Sequence, residues 1–111
     1  MVARATWVPD AGDVVWVDFD PTVGHEQAGK RPALVLSPSS YNAKTGLLVA
    51  CAMTLQAKGY PFEVVMPGGG VVLADQLKCI DWKFRNAQPK DTAPSEVLQA
   101  VRVLLGTLLQ I

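Results

Sequence analysis

The amino-acid sequence predicts a mainly β fold, a small barrel or sandwich, that ends in one α-helix. Five or six short apolar runs are separated by turn signals about every ten residues, which is typical of small all-β domains. Only the C-terminal segment changes to a helical spacing of polar positions. The length of 111 residues allows one domain, 1–111.

The first half of the chain contains three predicted strands. Residues 14–19 alternate between two faces and follow a turn at 10–13. Residues 33–36 are apolar on both faces, which indicates a buried strand. Residues 47–53 form a third apolar run. The polar segment between these last two strands, 37–46, is predicted to be a loop.

The second half continues the series of short strands. A turn leads into the predicted strand 62–66, and Pro67-Gly68-Gly69-Gly70 marks the clearest hairpin break. The run 71–76 follows. Residues 78–82 alternate polar and apolar side chains and extend or re-enter the sheet. These runs complete a predicted sheet of five or six strands.

The C-terminal segment carries the signals of a helix start. Thr92 is the predicted N-cap, Pro94 fits the first turn, and Glu96 places a carboxylate near the positive end of the helix dipole. Most other positions are Val, Leu or Ala, so we expect the helix to lie across the barrel and part of it to contact a second subunit. The predicted thin polar stripe consists of Gln99, Arg102, Gly106 and Gln110.

The composition limits the possible partners and compartments. Ten basic and ten acidic side chains cancel, so any nucleic-acid contact should involve few phosphates rather than a large basic face. Mean hydropathy is +0.21, which suggests that a partner covers some apolar surface. No run is long enough for a membrane span, and the first residues lack the apolar core of a signal peptide. We expect a cytoplasmic protein with no membrane partner.

The two cysteines, Cys51 and Cys79, lie in apolar strand-like runs without the spacing of a zinc site. We interpret both as buried thiols in a reducing cytosol. A disulfide between them is the alternative. The sequence thus predicts neither a metal ion nor a cofactor.

The most chemically varied segment, residues 25–32, lies between the first two predicted strands. Within eight residues it holds the only histidine, His25, one of three glutamates, Glu26, and one of four arginines, Arg31. Loops on rigid scaffolds often carry function, and this one combines a possible base, a carboxylate and a guanidinium. The alternative interpretation is a solvated hairpin loop with an ordinary share of charge.

Several reaction classes do not fit the remaining residues. No serine sits in a nucleophile elbow, and the glycine run 68–70 lacks the Lys-Ser/Thr of a phosphate loop. Asp18 and Asp20 share a strand face without forming a metal cage. Metal-free acid–base chemistry near an arginine remains, and it suits cleavage of RNA by its own 2′-hydroxyl.

In such a reaction the enzyme supplies a base, a cation for the phosphate and a donor for the leaving oxygen. Arg31 suits the phosphate oxygens, and His25 or Glu26 could take the proton. Thr54 could donate a hydrogen bond to the phosphate. Because an A-form duplex holds the 2′-hydroxyl away from in-line geometry, we expect single-stranded RNA as the substrate.

The chain closely resembles the MazF/PemK/Kid toxins of bacterial type II toxin–antitoxin systems, and the MazF branch most of all. The resemblance covers nearly the whole chain, and its most specific part is the Glu-Gln-x-Gly-x-Arg-Pro signature. The matching motifs are Gly12-Asp13, Trp16-Val17-Asp18-Phe19-Asp20-Pro21-Thr22, Gly24-His25-Glu26-Gln27-Ala28-Gly29, Arg31-Pro32, Thr54, Lys58-Gly59-Tyr60-Pro61, Ala74-Asp75-Gln76 and Ala93-Pro94.

This resemblance implies a small SH3-like barrel of about five to seven strands with a C-terminal helix, of the kind shared by CcdB, Kid and MazF. It implies a homodimer that cuts single-stranded RNA at short motifs without a metal and leaves 2′,3′-cyclic phosphate and 5′-hydroxyl ends. The family's catalytic arginine and threonine fall on Arg31 and Thr54, and the Kid branch adds residues that match His25 and Asp75. The residues expected to bind RNA are Gln27, Lys30, Lys58, Asp75 and Gln76.

The resemblance also implies a protein partner. Antitoxins of this family carry a flexible acidic tail that lies along the toxin and fills the RNA groove, because such a segment becomes ordered only on binding. A MazE-like antitoxin is therefore expected, and contact with DNA only through it.

Two other functions compete with RNA cleavage. CcdB-like toxins share this fold and bind DNA gyrase without cutting RNA. An SH3-like interaction module could use Trp7, Trp16 and Trp82 as a peptide groove, although core or interface packing is the more common role of such residues.

Overall fold

The computed structural model describes residues 7–18 and 30–111. This part of the chain contains six strands and two helices, so the predicted mainly β class is confirmed. The elements are β1 Asp13–Asp18, β2 Lys30–Val35, α1 Ser39–Thr45, β3 Leu47–Thr54, β4 Glu63–Val65, β5 Val71–Asp81, β6 Gln88–Thr92 and α2 Ser95–Leu109.

The six strands form one antiparallel sheet in the order β4-β5-β3-β2-β1-β6. Within the described ranges, the outer strands β4 and β6 pair only with β5 and β1, so hydrogen bonds do not close the sheet into a full ring. The two predicted runs 71–76 and 78–82 belong to the single long strand β5.

Each face of the sheet carries its own apolar cluster, because successive side chains of a strand point to opposite faces. The first cluster lies under α2, and the second lies on the other face. Sheet members of the first cluster include Val14, Leu34, Cys51, Met53, Val72 and Ala74. The second cluster contains Val15, Val17, Ala33, Val35, Leu48, Ala50, Ile80, Trp82 and Ala87.

Helix α2 covers the first cluster with a stripe of residues four positions apart. Val97, Val101 and Leu105 are buried there, which agrees with the predicted helix across the sheet. The predicted N-cap, Thr92, is wrong, because Thr92 is the last residue of β6 and pairs with Asp13. The N-cap position belongs to Pro94, whose missing side-chain cap agrees with its chemistry.

The segment 37–46 is not wholly a loop, since α1 spans Ser39–Thr45. Short polar helices leave little periodicity in the sequence. Asn42, inside α1, is fully buried and bonded to the rest of the chain, and Gly46 ends the helix in the left-handed conformation at φ 75°. A buried asparagine cannot be distinguished from a turn asparagine by its residue type alone.

Strand β6 has no counterpart in the sequence prediction. All five of its residues, Gln88–Thr92, are exposed, so it shows no apolar alternation, and it is placed only by its antiparallel pairing with β1.

Both cysteines are free thiols, and only Cys51 is buried. The predicted burial of Cys79 is wrong because residues 75–79 of β5 are exposed, beyond the first-cluster residues Val72 and Ala74. In the described part of the chain, neither helix is long and apolar enough to span a membrane.

Candidate functional site

Arg31 lies on strand β2 with an exposed side chain. Its cross-strand partner on β1 is Val17, a fully buried member of the second cluster. Directly opposed residues of an antiparallel pair have Cα atoms about 4.5–5.5 Å apart, and their side chains lie on the same face of the sheet. The guanidinium of Arg31 therefore extends from the second-cluster face, where that face reaches the solvent.

The strand register relates Arg31 to Thr54. Strands β2 and β3 pair Val35 with Ala50 and Ala33 with Ala52. Extending this register by two residues on each strand brings Arg31 opposite Thr54, the last residue of β3. Thr54 is half-buried. The sequence separates these two predicted catalytic residues by more than twenty positions, and the sheet brings them to the same end of neighbouring strands.

The Thr54 hydroxyl is already oriented by the backbone that follows it. Its Oγ1 accepts a hydrogen bond from the backbone N–H of Gln56 at 3.1 Å. A hydroxyl has one donor hydrogen and two acceptor lone pairs, so this bond leaves the hydrogen for donation to a phosphate oxygen. The local turn thus sets the rotamer of a side chain that can act as a phosphate donor.

Glu63 shapes the loop between Thr54 and β4. Its carboxylate accepts the backbone N–H of Gly59 at 2.9 Å and that of Lys58 at 3.0 and 3.2 Å to its two oxygens. Gly59 has φ 78°, a conformation that favours glycine. Hydrogen bonds to a charged acceptor are stronger than neutral ones, so Glu63 fixes the position of Lys58, a predicted RNA-binding residue.

Asp75 and Gln76 lie at an irregularity of β5. The register with β3 shifts between the pairs Cys51–Leu77 and Met53–Val72, so residues 73–76 face the single residue left between them. Both side chains are exposed, as RNA-binding residues must be. Bulges of this kind re-aim side chains at the rim of a sheet.

The electrostatic effect of Asp75 reaches the buried thiol of Cys51. Burial, and secondly the negative charge of Asp75, raise the pKa of Cys51 to about 11. The Sγ atom of Cys51 donates to the carbonyl of Ala74 at 3.7 Å. Cys51 belongs to the first cluster, whereas Arg31 and Thr54 share the register of the second-cluster face. The role of Asp75 in the site stays a prediction.

The other predicted site residues divide by whether the structure describes them. His25, Glu26 and Gln27 lie outside the described residues, as does Asp20. Lys30 is exposed at the start of β2 and pairs in register with Asp18. Among residues 7–18 and 30–111, no three His, Cys, Asp or Glu side chains cluster closely enough to hold a metal ion.

The sequence interpretation missed two groups near this site. The predicted strand 62–66 gives Glu63 no role in the loop, although its place after the Lys58-Gly59-Tyr60-Pro61 turn is a usable signal that its carboxylate accepts the N–H groups of that turn. The turn after β5 contains Phe84, which is 76% exposed beside Arg85. The sequence signal for this group is Phe84 between the basic residues Lys83 and Arg85, a pattern that suits nucleic-acid binding.

Comparison with known proteins identifies the family. The sequence profile of the PemK-like, MazF-like toxins of type II toxin–antitoxin systems matches residues 10–109. The chain belongs to this family. The endoribonuclease toxin MazF of Escherichia coli strain K12 is 54% identical to it over 112 aligned residues, which cover 98% of this chain and 99% of that toxin.

Solved MazF structures agree with this assignment. The crystal structure of MazF from Deinococcus radiodurans superposes with a TM-score of 0.86 at 54% identity, covering 95% of this MazF-like chain and 99% of the other. A MazE–MazF crystal structure from the same organism gives a TM-score of 0.89 at 54% identity, covering 95% and 98%. The predicted family and the predicted barrel-like fold with its C-terminal helix are confirmed. The predicted enzyme class, endoribonuclease, is the one that the names of the relatives carry.

Proposed function

We propose that this MazF-like chain is the toxin of a type II toxin–antitoxin system and that its single domain, 1–111, cuts single-stranded RNA at short sequence motifs. Membership of the family and 54% identity to an endoribonuclease toxin support the activity. The observation that supports the mechanism is the register of β2 with β3, which aligns Arg31 with Thr54 when it is extended by two residues on each strand. A cation and a hydroxyl donor at one strand end suit a phosphodiester.

The proposed reaction needs no metal ion and no nucleophile from the protein. The 2′-oxygen of the RNA attacks the neighbouring phosphorus, the new O2′–P bond forms, and the P–O5′ bond breaks. The products are a 2′,3′-cyclic phosphate and a 5′-hydroxyl. Arg31 stabilises the negative charge that grows on the non-bridging oxygens, and the Thr54 hydroxyl donates to one of them.

Two proton transfers complete the balance of atoms. A base takes the proton of the 2′-hydroxyl, and an acid gives one to the leaving 5′-oxygen. His25 and Glu26 remain the two candidates for these roles. Gln27, Lys30 and Lys58, together with Asp75 and Gln76, are proposed to hold the RNA on either side of the cut.

We further propose that the toxin is a cytoplasmic homodimer. Apolar side chains on α2 that its own sheet does not cover support this. Their exposed fractions are Val103 59%, Leu108 44% and Leu109 51%, with Ile111 just beyond the helix at 93%. Exposed apolar patches of this kind commonly mark protein interfaces.

A MazE-like antitoxin is the proposed regulatory partner, acting through an acidic flexible tail. Support comes from the MazE–MazF complexes of Deinococcus radiodurans, whose toxin is 54% identical to this chain in one crystal form. DNA would be contacted only through that antitoxin.

The competing functions have less support. A gyrase-binding toxin of the CcdB kind is not favoured, since the relatives found are named endoribonucleases. The tryptophans do not support a peptide groove either. Trp82 is buried and Trp7 packs edge-on against it at 6.0 Å, while Trp16 lies under the ammonium group of Lys90 at 5.1 Å.

The experiment combines purified protein with a long single-stranded RNA in excess EDTA, followed by mapping of the 5′ ends. We expect cleavage at a short recurring motif with 5′-hydroxyl ends. Arg31→Ala should lower the rate by about 10²- to 10³-fold, as for removal of one charge-stabilising group. Arg102→Ala is the matched control, because this exposed arginine lies on α2.

Two results would contradict the proposal. Loss of wild-type cleavage in EDTA would require a metal-dependent mechanism. A folded Arg31→Ala protein that cuts at the wild-type rate would remove Arg31 from the site.

A further inference from the structure

The turn that follows β5 presents an exposed aromatic ring on a firmly bonded backbone. Phe84 is 76% exposed, and its N–H donates to Oδ1 of Asp81 at 3.0 Å. Ala87 N–H donates to the carbonyl of Trp82 at 2.9 Å, which closes the turn. Burying or ordering this ring therefore requires little change of the backbone.

The turn that contains Phe84 is hydrogen-bonded to β1, the strand that pairs with Arg31. The backbone N–H of Asp18 donates to the carbonyl of Arg85 at 3.0 Å. Asp18 is the last residue of β1, and the preceding residue, Val17, is the register partner of Arg31. The turn and Arg31 are thus attached to the same end of β1.

A surface groove joins these features. It has a volume of about 430 Å³, and its lining includes Val17, Ile80, Phe84 and Arg85. Val17 and Ile80 are second-cluster residues, so the groove opens on the face from which Arg31 extends. A strand of RNA held at Arg31 and Thr54 would pass along this face.

The charged residues that line the groove are Lys78, Arg85 and Asp81, so its net charge is positive, as suits a nucleic acid. The guanidinium carbon of Arg85 lies 5.5 Å from the centre of the Phe84 ring. On the other side of Phe84 in sequence, the ammonium of Lys83 lies 5.4 Å from the Trp82 ring. Single-stranded nucleic acids bind where aromatic rings accept bases and nearby cations accept phosphates. The exposed ring beside the cations favours a nucleic acid over a purely acidic peptide, which would contact the cations alone.

We infer that Phe84 and Arg85 form a nucleotide subsite that stacks one base flanking the cut phosphate. This inference rests on the proposed RNA cleavage. Because every base has a π-face, stacking on Phe84 adds affinity and positions the strand without selecting a base. The subsite is therefore a positioning element for RNA, distinct from the groups that act on the scissile phosphate.

The test is a double-mutant cycle that removes the Phe84 ring from the protein and one base from the RNA, separately and together. The probe is a fluorescent single-stranded oligonucleotide with the mapped motif, 2′-O-methylated at the cut position, and a series carrying one abasic position each. Phe84→Leu should weaken binding of the parent oligonucleotide about tenfold, within the range of one stacking contact. One flanking abasic position should cost the wild type the same factor and cost Phe84→Leu nothing.

Kinetic and control measurements complete the design. Phe84→Leu should raise KM and leave kcat unchanged, because the ring binds substrate and does not touch the reacting atoms. Phe84→Trp should preserve affinity. Val65→Ala on β4, which removes another exposed apolar side chain, should bind as the wild type does. Light scattering and thermal melting of each variant measure its mass and stability.

The outcomes separate this inference from the proposed function. A wild type that neither cuts nor binds RNA overturns both. An active wild type whose affinity and KM are unchanged in Phe84→Leu overturns the subsite alone. Weaker binding of an acidic antitoxin-tail peptide with unchanged RNA affinity assigns the ring to a protein partner and overturns it. So does loss of the dimer in Phe84→Leu.

Discussion

The indole Nε1 of Trp82 donates a hydrogen bond of 3.0 Å to the backbone carbonyl of Asn42, forty residues away in the chain. The Asn42 side chain continues the network. Its Nδ2 donates to the carbonyls of Pro9 at 2.8 Å and Ser37 at 3.0 Å, and its Oδ1 accepts the Ser37 hydroxyl at 2.7 Å. One buried residue thus joins the segment before β1, the end of β2 and the end of β5.

Asn42→Ala should destabilise the fold by about 2–5 kcal/mol, because it leaves buried polar groups without partners and creates a small cavity. Thermal or urea unfolding measures the change. Lys44→Ala is the matched control, since Lys44 is exposed in the same helix. Equal stability of the two variants would show that the Asn42 network contributes nothing.

Thr54→Val should lower RNA cleavage about tenfold to a hundredfold, the value of one hydrogen bond to a charged group. Valine keeps the shape of threonine and removes the hydroxyl that binds Gln56 N–H. Thr54→Ser, which keeps the hydroxyl, should retain most activity. Single-turnover rates on the mapped motif measure both, and equal rates in all three proteins would exclude the hydroxyl from catalysis.

Glu63→Ala should loosen the loop after Thr54, because the N–H groups of Lys58 and Gly59 lose their acceptor. We expect a loss of about 1–3 kcal/mol in the free energy of unfolding, together with weaker RNA binding. Glu63→Gln, which keeps a neutral acceptor oxygen at the same position, is the control and should lose less stability. Unchanged hydrogen exchange of the Lys58 and Gly59 N–H groups in Glu63→Ala would show that the Glu63 carboxylate does not hold this loop.

Cys51 should resist alkylation while exposed Cys79 reacts. The pKa of Cys51 is raised from its ordinary value of 9.0 to about 11, so the folded protein holds this thiol proton more tightly than the unfolded chain does. Its contribution to stability is complete below pH 9 and is lost as the pH rises towards 11. Iodoacetamide at pH 8 followed by mass spectrometry should modify one thiol in native protein and two in urea. Cys79→Ser should abolish the native reaction.

Charge on α2 should separate the polar stripe from the proposed interface. Arg102→Glu changes an exposed position of the stripe and should leave the proposed dimer intact. Leu108→Glu should dissociate the dimer, because an unpaired charge would be buried there. Light scattering over a concentration series measures the mass. A Leu108→Glu protein that stays dimeric would place the interface elsewhere.

The sequence predicted the elements that bury an apolar face. The strands at 14–19, 33–36 and 47–53 and the C-terminal helix all carry their period in apolar side chains. It missed α1 and β6, whose residues are mostly exposed and which are placed by partners distant in sequence. The periodicity of a single chain segment contains no information about such partners.

The site was predictable in part for the same reason. Arg31 and Thr54 were selected by residue type and family resemblance, and the register of β2 with β3 relates them in space. Glu63 acts by accepting backbone N–H groups four and five residues away, a role that its residue type does not reveal. The proposed role of Phe84 could not be predicted from the sequence, because it depends on a groove that Phe84 lines together with Val17 and Arg85.

The outermost strand of the described sheet, β6, has a consequence for contacts between copies of the protein. Among residues 7–18 and 30–111, β6 pairs only with β1. It carries Pro89, which has no N–H, and the charged side chains Lys90 and Asp91, with a register shift opposite Val14 and Val15. These features oppose the addition of another strand. The toxin can therefore expose one border of its sheet without polymerising into β-rich aggregates.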